Sequence, residues 1–120
     1  MQSKGDPLIR TNRHRRATLK ARTRTQRAAS RIRRNGAGTL ASHAMAAGLA
    51  PREARSVAGT LRKKAKELGI TGQTARIHAG RHMRDDCRRY TPAQVARIAI
   101  AYKPRKPAYK VVAARLALAA

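Results

Sequence analysis

The chain predicts an all-α fold, a small helical domain of about four to five helices with a basic, partly disordered N-terminal arm. Three observations carry this. Alanine supplies much of the 42% hydrophobic fraction, Phe and Trp are absent, and 8 Leu, 6 Ile and 4 Val remain, which is an inventory for closely packed helices rather than for the interior of a large sheet. Apolar residues recur at spacings of three and four within residues 54–68, 95–102 and 109–116. Charge is the third: 29 Lys and Arg against 5 Asp and Glu give +24 in 120 residues, and residues 10–34 hold eleven basic side chains and no acid. Charge at that density repels itself in any compact state unless an anion offsets it.

Taken in order, residues 1–16 place Gly5, Pro7 and Asn12 among charges and are expected to form a disordered basic tail. Helix formers dominate 17–34, but Leu19 and Ile32 are its only large apolar residues, so this basic arm is expected to be helical when phosphate neutralises it. Asn35-Gly36-Ala37-Gly38 breaks the chain, and a single helical domain is expected over 39–120. Thr39 can cap a short helix from Leu40 that ends at Gly48. Pro51 suits a first helical position, and Ala54, Val57, Ala58, Leu61, Ala65 and Leu68 then line one face of the best-defined helix, with Arg52, Arg55, Arg62, Lys63 and Lys66 on the others. Gly69-Ile70 is its stop signal.

A further helix is expected over 72–89, with Ile77, Met83, Cys87 and Tyr90 on one side and Gly80 weakening its middle by about 1 kcal/mol. Thr91-Pro92 starts a helix over 92–102, and the basic turn Lys103-Pro104-Arg105-Lys106-Pro107 ends it. Tyr109, Val112, Ala113 and Leu116 give a last helix over 107–119. The C-terminal pair either completes the core or forms a homodimer; alternatively its Tyr109, Val112 and Leu116 face binds another protein.

Residues 40–61 resemble a helix-turn-helix unit, the centre of the 39–68 segment. Ala44 allows close approach of two helices, Gly48 supplies the turn, and Leu49, Ala54 and Val57 bury the crossing. The resemblance implies that the second helix enters the major groove of DNA by its N-terminal end, with Arg52, Arg55 and Ser56 as base-reading candidates. Phosphate contacts are expected from Arg13, Arg15, Arg16, Lys20, Arg22, Arg24, Arg27, Arg31, Arg33 and Arg34 of the arm, helped by its threonine hydroxyls. Arg62, Lys63, Lys66, Lys103, Arg105 and Lys106 are expected to join them. Arg outnumbers Lys 21 to 8, which favours bidentate recognition of phosphate and guanine.

The expected partner is nucleic acid. Duplex DNA is favoured because the three tyrosines, Tyr90, Tyr102 and Tyr109, all sit on apolar faces and leave no platform for stacking single-stranded bases. The expected role is regulation of transcription or organisation of DNA. Structured RNA is the alternative, in the manner of small helical ribosomal proteins with long basic arms. No enzyme is expected, since the acids Asp6, Glu53, Glu67, Asp85 and Asp86 form no catalytic cluster and no phosphate loop of the usual glycine spacing occurs. No cofactor and no metal site are expected either: His78, His82 and Asp86 would stack on one helical face, but Arg81 and Arg84 repel a dication there. Cys87 is alone and reads as a small core residue, and no apolar stretch reaches the roughly 18 residues of a membrane span. A cytoplasmic protein is expected, nucleoid-associated in a bacterium.

Overall fold

The computed structural model describes residues 7–79 and 82–118, the side chains of 7–10 and 75–87 excepted. Five helices, α1 (Pro7–Asn35), α2 (Leu40–Ala46), α3 (Pro51–Leu68), α4 (Pro92–Ala101) and α5 (Pro107–Leu118), account for most of it. Between α3 and α4 lie two antiparallel strands, β1 (Gln73–Ala79) and β2 (His82–Arg89).

The all-α class therefore holds for the bulk of the chain, and the helix expected over 72–89 is corrected to a β-hairpin. Its register pairs Gln73 with Arg89 and Ala79 with His82, with a shift between Ala75 and Ile77. The physical reason lies in residue type. Gly72 and Gly80 penalise a helix, and Thr71, Thr74 and Ile77 are β-branched residues that favour extended backbone. Gly72 is also sterically committed, since a Cβ there would lie 2.7 Å from the Arg89 carbonyl oxygen. Arg88 donates to the Gly72 carbonyl at 3.1 Å, and Gln94 of α4 donates to the Thr71 carbonyl at 3.2 Å.

The hairpin also fixes the start of α2. Gly38 and Tyr90 exchange two backbone hydrogen bonds, at 3.0 and 2.8 Å, so the chain just ahead of α2 pairs with the end of the hairpin. The His43 ring then reaches from α2 to the same Tyr90 carbonyl, Nε2 to oxygen 2.7 Å. A carbonyl only accepts, so Nε2 carries the proton. Both lone pairs of that oxygen are used, one by Gly38 and one by His43.

α1 is longer than expected. It starts at Pro7 rather than near Ala17, because 8–35 contain no Gly or Pro and are rich in Arg, Ala and other helix formers. The tail expected to be disordered over 1–16 is thus helical from Pro7; residues 1–6 lie outside the described residues. At about 44 Å, α1 holds to the rest of the molecule by its C-terminal part, where Ala28 and Ile32 are buried. The molecule is correspondingly elongated, 62 × 35 × 22 Å, with a radius of gyration of 16.8 Å. A compact chain of this length would have about 14 Å.

One core joins α2, α3, α4 and α5. Leu40, Ala44, Leu49, Ala54, Val57, Leu61, Val95, Ile98, Tyr102, Val112 and Leu116 are all buried in it. α3 ends at Gly69, φ +71°, with Ile70 N–H bonded to the Ala65 carbonyl at 2.9 Å. That fold-back puts Ile70 in the core, and Leu68, expected on the apolar face, is 47% exposed. α4 opens with a reciprocal cap: Thr91 accepts from the Gln94 N–H at 3.2 Å, and the Gln94 side chain accepts from the Thr91 N–H at 2.9 Å.

Candidate nucleic-acid interface

The geometry of the central unit follows from a few small or apolar residues. Thr39 accepts from the Ser42 N–H at 3.1 Å and caps α2. Gly48 turns the chain at φ +114°, a conformation that side chains rarely adopt. Ala44 and Ala54 are both fully buried, so the two helices meet without large side chains between them, and Leu49 and Val57 fill the angle. Ala50 provides no side-chain cap to α3, but Pro51 presets the first turn.

A hydrogen bond that the sequence does not signal clamps this turn. Arg115 of α5 donates to the Ala47 carbonyl, the C-cap of α2, at 2.8 Å. His43 holds the same helix to Tyr90. It is 4% exposed, and burial lowers its pKa below the usual histidine value, a shift that the hydrogen bond to Tyr90 opposes. A neutral imidazole donating through Nε2 is the form this site accommodates. Both residues also line a cavity with Ala29, Ile32, Ala46, Ala47, Pro92 and Leu116. No local pattern marks either one, since each is defined by a partner more than 40 positions away.

The clamped turn fixes the azimuth of α3. With Ala54, Val57, Ala58, Leu61 and Ala65 buried, Arg52, Arg55, Ser56, Arg62, Lys63 and Lys66 are exposed. Arg52, Arg55 and Ser56 share the first turns. Further along, Ser56, Gly59, Thr60, Arg62, Lys63 and Lys66 line an open depression. A second depression joins Thr60 and Lys64 of α3 to Tyr102, Lys103, Pro104, Arg105 and Lys106, where the Lys106 ammonium lies 5.2 Å from the centre of the Tyr109 ring. Thr60 borders both, so the outer stripe of α3 and the basic turn after α4 adjoin. Thr60 and Lys64 are additions to the expected residues, although Thr60 stands one helical turn beyond Ser56.

The arm residues are placed apart from this surface. Arg13, Arg15, Arg16, Lys20, Arg22, Arg27, Arg31, Arg33 and Arg34 are exposed on α1 and Arg24 is half-exposed. Arg27, Arg31 and Arg34 line a depression of their own with Thr23, Gln26 and Ser30. The threonines expected to donate to phosphate are partly committed: the Thr18 and Thr23 hydroxyls donate to the His14 and Leu19 carbonyls of their own helix, each at 2.9 Å.

Among the described residues one ion pair forms, Lys64 Nζ to Glu67 Oε2 at 3.4 Å. Within that set the remaining cations of α3 have no carboxylate at pairing distance, and Glu53 in the first turn pairs with neither arginine. The helical stripe of His78, His82 and Asp86 does not exist, since His78 and His82 stand on different strands. The positions of those side chains and of Cys87 lie outside the described residues. The apolar side of α5 is spent on the core through Val112, Ala113 and Leu116, leaving Tyr109 half-buried. No helix of the described residues is long and apolar enough to cross a membrane.

No protein-family model, curated protein or solved structure matches the chain.

Proposed function

We propose that the protein binds duplex DNA and acts as a transcriptional regulator or DNA-organising protein in the cytoplasm. Arg52, Arg55 and Ser56 read bases, while α1, the outer stripe of α3 and Lys103, Arg105 and Lys106 neutralise phosphates. The observation that carries this reading is the α2–turn–α3 unit, whose second helix exposes two arginines and a serine in its first turns, with no carboxylate of the described residues bound to them. A helix of this kind fits the major groove, and an arginine fork matches the O6 and N7 acceptors of guanine. The tyrosines also support duplex over single strand: Tyr90 and Tyr102 are buried, and Tyr109 is half-buried beneath Lys106.

A second reading, structural RNA binding, is favoured by one feature. α1 carries eleven basic residues along a helix that extends beyond the globule, which suits insertion among RNA strands as well as a DNA groove. A homodimer through the C-terminal helices belongs to the proposal too, since Val111 and Leu118 of α5 are exposed two turns apart. Enrichment of a randomised duplex library on the full chain, followed by sequencing of the retained fraction, tests base readout. A shared motif containing guanine is expected; retention without any motif removes readout and leaves phosphate binding alone.

A further inference from the structure

We propose that Gly59 is the floor of a phosphate-backbone contact, left without a side chain so that the sugar-phosphate strand of a nucleic acid can lie against the backbone of α3. The inference rests on the nucleic-acid reading above and adds to it the place where one strand must approach most closely.

Among the described residues Gly59 is the one glycine inside a helix. Glycine is a poor helix former, so its presence mid-helix calls for a reason. The usual internal reasons do not apply. Its φ is not positive, unlike those of Gly36, Gly48 and Gly69. It is not crowded either: a Cβ at Gly59 would meet nothing within 4 Å, whereas one at Gly38 would lie 2.8 Å from Ile32 and one at Gly72 2.7 Å from Arg89. Nothing among the described residues requires glycine here. The remaining reason is close approach of something from outside.

The surroundings identify the visitor by charge. Gly59 lies in the open depression lined by Ser56, Thr60, Arg62, Lys63 and Lys66. Ser56 is one turn before it, Lys63 one turn after and Lys66 two turns after, so hydroxyl donors and cations bracket the bare backbone along the helix axis. Arg62, Lys63 and Lys66 form no ion pair among the described residues, and Glu67, next to Lys66 in sequence, is held by Lys64. Thr60 continues the surface toward Lys103, Arg105 and Lys106. A strand crossing α3 at Gly59 would thus meet donors on both sides and a second set of cations beyond.

The test compares Gly59→Ala and Gly59→Leu with the wild-type chain, reading the melting temperature and the affinity for a labelled random-sequence duplex of about 20 base pairs at about 0.1 M salt. Ala93→Leu, at another exposed helical position, is the control for added bulk. Gly59→Ala should melt about 4 °C higher yet bind about tenfold more weakly, and Gly59→Leu should lose more affinity still while Ala93→Leu keeps it. Wild-type affinity in both Gly59 variants overturns the inference and leaves DNA binding standing. A lower melting temperature for Gly59→Ala also overturns it, because glycine would then serve internal packing. A wild-type chain that does not bind the DNA duplex, whether or not it binds RNA, overturns the functional reading itself and this inference with it.

Discussion

α1 and α3 are almost equally dense in positive charge, eleven basic residues in 29 against six in 18, yet they are different instruments. α3 buries five residues of one face in the core, and this fixes the direction of every arginine on it. α1 buries Ala28 and Ile32 near its end, and the same face back through Thr25, Ala21 and Thr18 carries no charge, while its cations cover the rest of the circumference and run out past the globule. A helix packed along most of its length can bring a guanidinium to a particular base edge, whereas the part of a helix that projects past the globule can only track phosphates. On the proposed reading, charge density supplies affinity for phosphates, and the apolar stripe beneath α3 supplies selectivity.

The largest contrast should appear in stability. Leu61 is fully buried and Leu19 is 59% exposed. In urea melts Leu61→Ala should cost about 2–5 kcal/mol, while Leu19→Ala should stay within about 0.5 kcal/mol. Comparable losses would mean that α1 packs on something the fold does not include.

In binding, the contrast reverses between affinity and specificity. Removing residues 1–26 takes away eight basic side chains but keeps Ala28 and Ile32, so the domain should stay folded. Affinity should then fall for every duplex alike, by about a hundredfold near 0.1 M salt, with the logarithmic salt slope shallower by about 0.9 for each phosphate that the arm had neutralised. An unchanged slope excludes α1 from the interface. Arg52→Ala or Arg55→Ala should act the other way, costing about 1–3 kcal/mol on a preferred site and far less on random DNA. Equal losses on both sequences would reduce α3 to a second phosphate-binding helix.

Much of this division is legible in the sequence, and its limits are physical. The Ala54–Ala65 stripe, the Thr39 cap and the Gly48 and Gly69 turns are local patterns, each complete within a few residues. The segment 72–89 reads as a helix in isolation because its sparse apolar residues fit a helical face as readily as a strand, and pairing with a partner strand decides in favour of the hairpin. The length of α1 is hidden for the opposite reason: charge and Pro7 suggest disorder, while an unbroken run of helix formers carries the helix back to Pro7. Of the site, Arg52, Arg55, Ser56 and the cations Arg62, Lys63 and Lys66 are visible as the complement of the apolar face of α3. Thr60, Lys64 and the adjoining of α3 to the turn after α4 are not, since that proximity arises only when α4 and α5 complete the core.

The smallest predicted effect concerns the clamp that holds α2. His43 has a folded-state pKa below the unfolded value, so in the window below about 6.5 the unfolded chain binds more protons than the folded one. Stability is therefore full at neutral pH and falls as the pH drops through that window, by at most about 1.4 kcal/mol per pH unit from this group. His43→Gln retains a donor for the Tyr90 carbonyl without titrating there. Melts taken at several pH values should show a flatter dependence for that variant; an identical slope would assign the acid sensitivity to other groups.

Competition between fragmented duplex DNA and structured RNA for the full chain, at about 0.2 M salt where charge-only binding is largely suppressed, tests the central claim most directly. Retention of a discrete subset of DNA fragments is the predicted result. Preference for RNA would contradict it in favour of the structural RNA reading, and uniform retention of DNA would contradict the assignment of base reading to α3.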